Sequence, residues 1–236
     1  MKTWHVVVAS ALCFVMDGVL LGAHIFHHYW AVREGGVTPV HLFHHARMWD
    51  GGQDGSLAEI FGHLQLGGAA VVLIVLSLRS QGARVLTAWG IVFTVMVTDD
   101  LFRVHERVGR LLDLRRLDHR LTELGAQEFG GLLLWGGVGL VLGALIVACH
   151  RTSSLAARSA SWRMFALSLP FMAIATSYVM VSVLHPELLE AARGVGIASA
   201  RIVVKLLTMT LIFVYALLLF RDGISPEKSL HHHGWV

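Results

Sequence analysis

Six stretches of this chain, at about 4–28, 57–78, 85–104, 124–149, 163–184 and 197–220, are apolar over the roughly 20 residues a helix needs to cross a hydrocarbon core about 30 Å thick. Inside such a core every backbone amide must find its partner within the chain. The stretches therefore predict α-helices, and the chain an all-α integral membrane bundle of six transmembrane helices. Composition agrees: 236 residues that are 55% hydrophobic and 15% charged, with a mean hydropathy of +0.64, are too apolar for a water-soluble domain of this size. Residues 1–222 read as one six-helix domain and 223–236 as a short polar tail, in which His231 to His233 are assigned no role. Met1 to Leu21 has the apolar run of a signal peptide, but Asp17 interrupts it and no small-x-small cleavage site follows, so it counts as the first span.

An even number of spans puts both ends of the chain on one side, here side A, and the connections at 29–56, 105–123 and 185–196 on side B. Of the 16 acids, all but Asp222 and Glu227 fall on side B or in the adjoining helix halves, and so do ten of the 15 histidines. Lysines and arginines are nearly balanced between the sides, but the six arginines of 103–120 are interleaved with acids. Discounting those six places side A in the cytoplasm and the polar half towards the exterior or periplasm of the cell membrane. The pI near 9.2 does not point to nucleic acid, because the basic residues form no continuous stripe. Cys13 and Cys149, each in or at the end of an apolar segment, indicate neither a disulfide framework nor a thiolate metal site.

Helical spacing gathers the polar residues of the side B half. Asp17, His24 and His28 form one stripe on the first helix, and Glu59 and His63 are an i, i+4 pair on the second. Asp99 and Asp100 close the third, Glu128 lies near the start of the fourth, and Arg201 and Lys205 share a face of the sixth. The opposite half is almost wholly apolar. Ionisable groups at membrane depth are costly and mark functional sites by default. One point of geometry is conditional. On an unbroken third helix His105 sits about 140° from Asp100, so it joins the acids only if the helix ends or bends between 101 and 104.

Imidazole and carboxylate together suit iron, copper or zinc, and bundle cores hold one or two such ions between facing helices. Asp17, His24, His28, Glu59, His63, Asp99, Asp100, His105 and Glu128 are the candidate ligands, with Arg201 and Lys205 balancing charge or holding a substrate anion. No individual catalytic residue is assigned. Haem or a pigment ranks below a metal, since His63 is the one histidine well within a span and lacks a counterpart at matching depth.

The run Asp99-Asp100-x4-His105-Glu106 resembles the acidic-pair-x4-His-Glu motif of uncharacterised bacterial multispanning membrane proteins, with Asp100 where those carry Glu. The boxes His24-Ile25-Phe26-His27-His28 and His41-Leu42-Phe43-His44-His45 both read HxxHH. They resemble those of membrane di-iron desaturases and hydroxylases, a likeness that implies oxygen-dependent chemistry on a lipid. The expected function is thus a membrane metalloprotein, an oxidoreductase acting on a hydrophobic or small substrate. The alternative is a non-enzymatic membrane subunit or ion or proton transporter using the same groups. The expected partners are the bilayer, a small hydrophobic molecule, and a second copy or a larger membrane complex.

Overall fold

The computed structural model describes residues 2–33, 46–112, 114, 123–184 and 195–224, and the regular structure among them is helical. In chain order the helices are α1 (Thr3–Arg33), α2 (Ala46–Trp49), α3 (Leu57–Arg79), α4 (Arg84–Phe102), α5 (Val104–Leu112), α6 (Glu123–Arg151), α7 (Leu155–Leu184) and α8 (Val195–Asp222). Six of them, all but α2 and α5, are long and apolar enough to cross a membrane, so the chain is an all-α bundle with the character of a multi-pass membrane protein.

Three boundaries differ from the hydropathy reading. α7 begins at Leu155 rather than 163 because its polar first turns are tied down by their own side chains. Ser154 Oγ accepts the Ala157 N–H at 3.4 Å, and Arg158 donates to the carbonyls of Ser153 (2.9 Å) and Arg151 (2.6 Å). α1 continues to Arg33, five residues past the predicted end. The connections at 29–56 and 105–123, read as loops, contain the single turn α2 and the two-turn helix α5.

The apolar end of the bundle is closed by two tight turns that bond to each other. Gly82, at φ +76°, presents its carbonyl to the Ser154 N–H at 2.8 Å, and Ser153 Oγ accepts the Val85 N–H at 3.0 Å. A β-carbon at Gly82 would strain that φ, a conformation that glycine adopts at little cost. These bonds join the α3–α4 turn to the α6–α7 turn, and Trp89 Nε1 on α4 donates to Ser161 Oγ on α7 at 2.9 Å.

α8 is packed between α1, α3 and α7, and α4 lies against α3, α6 and α7. Leu66, Leu73, Leu86, Phe93, Met164 and Met209 fill the shared core. Close approach uses glycine at Gly68, where a β-carbon would stand 2.9 Å from the Phe213 ring, and at Gly130 against α5. At Gly67, Gly136, Gly137 and Gly139, by contrast, no atom of the described residues lies near the place of a β-carbon. α6 is the outermost span, with no buried residue in its most apolar window. The polar end of the bundle is built from α1, α3, α4, α5 and α8, with the first half of α6 packed against α5.

Candidate metal centre at the break of α4

The helix that carries Asp99 and Asp100 stops at Phe102. Arg103 takes a left-handed conformation (φ 50°, ψ 44°), its N–H returns to the Asp99 carbonyl, and α5 restarts at Val104. The break lies within the 101–104 window that brings His105 to the acids. Asp99 Oδ1 accepts the His105 backbone N–H at 2.9 Å, as an N-cap would, and Oδ2 accepts His105 Nδ1–H at 2.7 Å and Trp135 Nε1–H at 2.9 Å. A carboxylate only accepts, which fixes the Nδ1–H tautomer and leaves Nε2 as the nitrogen for a ligand. Asp99, 8% exposed, therefore caps the second helix and orients its histidine.

The left-handed Arg103 costs about 1 kcal/mol relative to a residue without a β-carbon. Its exposed ion pair with Asp54 Oδ2, at 3.0 Å, is worth little in return. Arg103→Gly is expected to change stability by less than about 0.5 kcal/mol, because relief of strain offsets the added chain entropy. Arg103→Val should cost more than about 1 kcal/mol, since a β-branched residue resists this φ. Melting of the two detergent-solubilised variants checks both.

Asp100 points the other way round α4 and gathers a second set. Its Oδ2 lies 3.0 Å from His63 Nε2 and 3.1 Å from Lys205 Nζ. Glu59 stands one turn before His63 on α3. Its Oε2 accepts the Gly55 N–H at 2.5 Å while Ser56 Oγ accepts the Glu59 N–H at 3.2 Å, a reciprocal arrangement that fixes the start of the helix beside the site. One donor atom from each of Glu59, His63 and Asp100 lies within 4.8 Å of the others, and the same holds for Asp99, Asp100 and His105. Asp100 is common to both sets.

The other sequence-predicted residues go elsewhere. Asp17 and His24, placed on one stripe of α1, do not share a partner: Thr210 Oγ1 donates to Asp17 Oδ2 at 2.6 Å, while His24 Nδ1 lies 3.2 Å from the Gly51 N and 3.3 Å from Asp50 Oδ1. Seven helical residues separate them by about 10 Å along the axis, so one face serves two sites. Glu128 joins neither donor set and interacts electrostatically with Arg201, His105 and Glu106. Arg201 lies over the Tyr178 ring, 4.1 Å from its centroid, and so parts company with Lys205. The box His41 to His45 and the side chain of His28 lie outside the described residues.

Three contributors were missed in the sequence. Trp135 lies mid-span on α6, away from the interfacial belt where tryptophan is usual, and that depth was the available signal. Gln65 and Thr210 are uncharged polar residues deep in apolar helices, buried and bonded to each other.

The family model described as Domain of unknown function (DUF8692) matches residues 5–184. No curated protein matches the chain, and no solved structure matches it.

Proposed function

The chain belongs to the DUF8692 family, and we propose that it is an integral-membrane metalloprotein in which Glu59, His63, Asp100 and His105 hold a transition metal ion in one half of the bundle. What supports the reading is that Asp100 belongs both to a donor set with Glu59 and His63 and to the cluster of Asp99 and His105, in which Asp99 serves as the partner of His105. A shared carboxylate between histidine-containing sets is the arrangement by which helical bundles hold two ions. The donors, imidazole and carboxylate, suit iron, copper or zinc. Asp99 then acts through His105: a carboxylate on Nδ1 holds the ring so that Nε2 faces a metal, and such outer partners matter nearly as much as ligands. Lys205 supplies positive charge to the same oxygen that His63 meets, and an incoming ion would share Asp100 with it.

Bound there, the metal would supply Lewis acidity or redox capacity. The substrate that fits this place is small and hydrophobic. An apolar cavity of about 60 Å³ lies between α3, α4, α7 and α8. Met96, one turn before Asp100, and Thr208, three residues after Lys205, both line it. Oxidoreductase chemistry on a molecule reaching the site from the bilayer is the activity in best accord with that neighbourhood. The cell membrane, with residues 2 and 224 on the cytoplasmic side, is the location in accord with the charge count. Arg103, which pairs with Asp54, is one of the arginines discounted in it.

The experiment is elemental analysis with an optical spectrum, on protein purified without chelator. About one to two equivalents of a transition metal are expected, falling on His63→Ala substitution. Less than about a tenth of an equivalent of any transition metal overturns the reading. A second reading, a subunit or transporter that relays protons or ions, is favoured by the His63–Asp100–Lys205 contact, which joins three ionisable groups without any metal. Metal-poor, colourless protein in which His63→Ala abolishes uptake or partner association would select it, and coloured protein would point to haem or a pigment instead.

A further inference from the structure

A second polar cluster lies deeper in the bundle and takes no part in the Asp100 site. Thr210 on α8 is five residues beyond Lys205, about 7.5 Å further along the axis and about 140° round it. Gln65 on α3 is two residues from His63, on the opposite face of that helix. Gln65 Nε2 donates to Thr210 Oγ1, and Thr210 Oγ1 donates to Asp17 Oδ2 on α1, so one hydroxyl joins three helices. All three side chains are more than nine-tenths buried.

The hydrogens of this chain can be counted. The Thr210 hydroxyl has one proton and gives it to Asp17, which fixes the Gln65 amide with its nitrogen towards Thr210. Asp17 Oδ1 and Gln65 Oε1 are then buried acceptors with no hydrogen-bond partner among the described residues. The positive groups of the neighbouring helix are engaged elsewhere. On α8, Lys205 lies on Asp100 and Arg201 on the Tyr178 ring. Of the histidines on α1 and α3, His63 lies on Asp100 and His24 against Gly51 and Asp50. A titratable neighbour among the described residues is Cys13, one turn before Asp17 and in reach of Gln65, and a thiol brings no positive charge. An ionised carboxylate here would keep one oxygen bare at membrane depth, with one hydrogen bond to the other.

We propose that Asp17, Gln65 and Thr210 form a proton-binding site between α1, α3 and α8, in which Asp17 is held as the neutral carboxylic acid with its proton on Oδ1. The missing hydrogen of the cluster is then the bound ligand. Oδ2 becomes the carbonyl oxygen that accepts from Thr210, and Oδ1 changes from a bare acceptor into a hydroxyl that carries no charge. The site is independent of any metal at Asp100, since neither Asp17 nor its two partners belongs to the donor sets there.

Infrared spectroscopy of the full chain in lipid nanodiscs at neutral pH tests this. The expected result is a carboxylic-acid C=O stretching band that shifts on labelling with carbon-13 aspartate, is lost in Asp17→Asn, and moves to higher frequency in Thr210→Val, where the carbonyl loses its hydrogen bond. Asp17→Asn, nearly isosteric with the neutral acid, should melt within about 2 °C of the parent. The Thr210→Val shift makes the assignment if Asp17→Asn does not fold. Absence of a labelled acid band, or a band that neither variant alters, overturns the proposal. So does a melting temperature that rises with sodium or potassium in the parent but not in Asp17→Asn, which would make the ligand an alkali cation.

Discussion

Asp100→Asn is expected to lower the bound metal more than tenfold, and at the same time to destabilise the bundle by about 2 kcal/mol. Both effects come from one atom. Oδ2 of Asp100 carries His63 at 3.0 Å and Lys205 at 3.1 Å, and Asn offers neither the charge nor a second acceptor oxygen. Losing one partner of a fully buried pair costs about 3–5 kcal/mol, chiefly because the other charge is stranded. Asp100 and Lys205 are 28% and 24% exposed, so the lower figure of about 2 kcal/mol applies, or roughly a 4–8 °C fall in melting temperature for a chain of this length. The two effects separate in a double variant. Adding Lys205→Met removes the stranded ammonium, so Asp100→Asn with Lys205→Met should regain most of the lost stability and none of the metal. Recovery of metal binding in the double variant would show that Asp100 is no ligand, and unchanged stability in Asp100→Asn would show that the Lys205 contact holds nothing in place.

That contact also shows where reading the sequence succeeds and stops. Hydropathy located six spans to within a few residues for α3, α4, α6 and α8, because length and apolarity are local properties of the chain. Charge sorting placed the acids and histidines at one end for the same reason. Helical phase went one step further at His105. It showed that an unbroken helix was incompatible with a joint site, and the left-handed Arg103 supplies the break. Phase could not tell which neighbouring helix meets a face, nor at what height. Asp17 and His24 share a stripe, but one meets α8 and the other the turn after α2. Arg201 and Lys205 share another, and one finds a tyrosine ring while the other finds a carboxylate. Gln65 and Thr210 drew no attention because an isolated amide or hydroxyl in an apolar helix has many bland explanations, and only the three-helix contact turns the pair into a site. Polarity is written along one chain segment, whereas a site is written in the crossings between segments.

The crossing with most leverage on the proposed metal centre is that of α5 over α6, and Gly109→Ala is expected to be the most damaging single-methyl change in the described chain. A β-carbon at Gly109 would overlap the carbonyl oxygen of Gln127 and stand 3.1 Å from the Gly131 nitrogen, and one at Gly130 would stand 2.7 Å from the Gly109 α-carbon. These neighbours are backbone atoms of a continuous helix, so no rotamer change can make room and the helices must separate. Overpacking costs about 1–3 kcal/mol where side chains can yield. With backbone opposing backbone the upper end, about 3 kcal/mol, is expected, or roughly a 6–12 °C fall in melting temperature. The loss does not stay at the crossing. His105 is one turn before Gly109 and rests against Gly131, and Trp135, one turn further along α6, donates to Asp99. Lifting α5 therefore withdraws the ring from Asp99 and parts the two donors of His105 on α5 from that of Trp135 on α6. Metal content should fall with it, as it would in His105→Ala, while the Glu59, His63 and Asp100 set on α3 and α4 keeps its geometry and a residual share of the ion. Gly136→Ala is the control on the same helix. It has open space around the added methyl, so it should be neutral or gain up to about 1 kcal/mol from helix propensity alone, with metal content unchanged. Equal melting temperatures for the two variants would mean that α5 is not seated on α6 as described, and loss of stability in Gly109→Ala with full metal retention would remove His105 from the site.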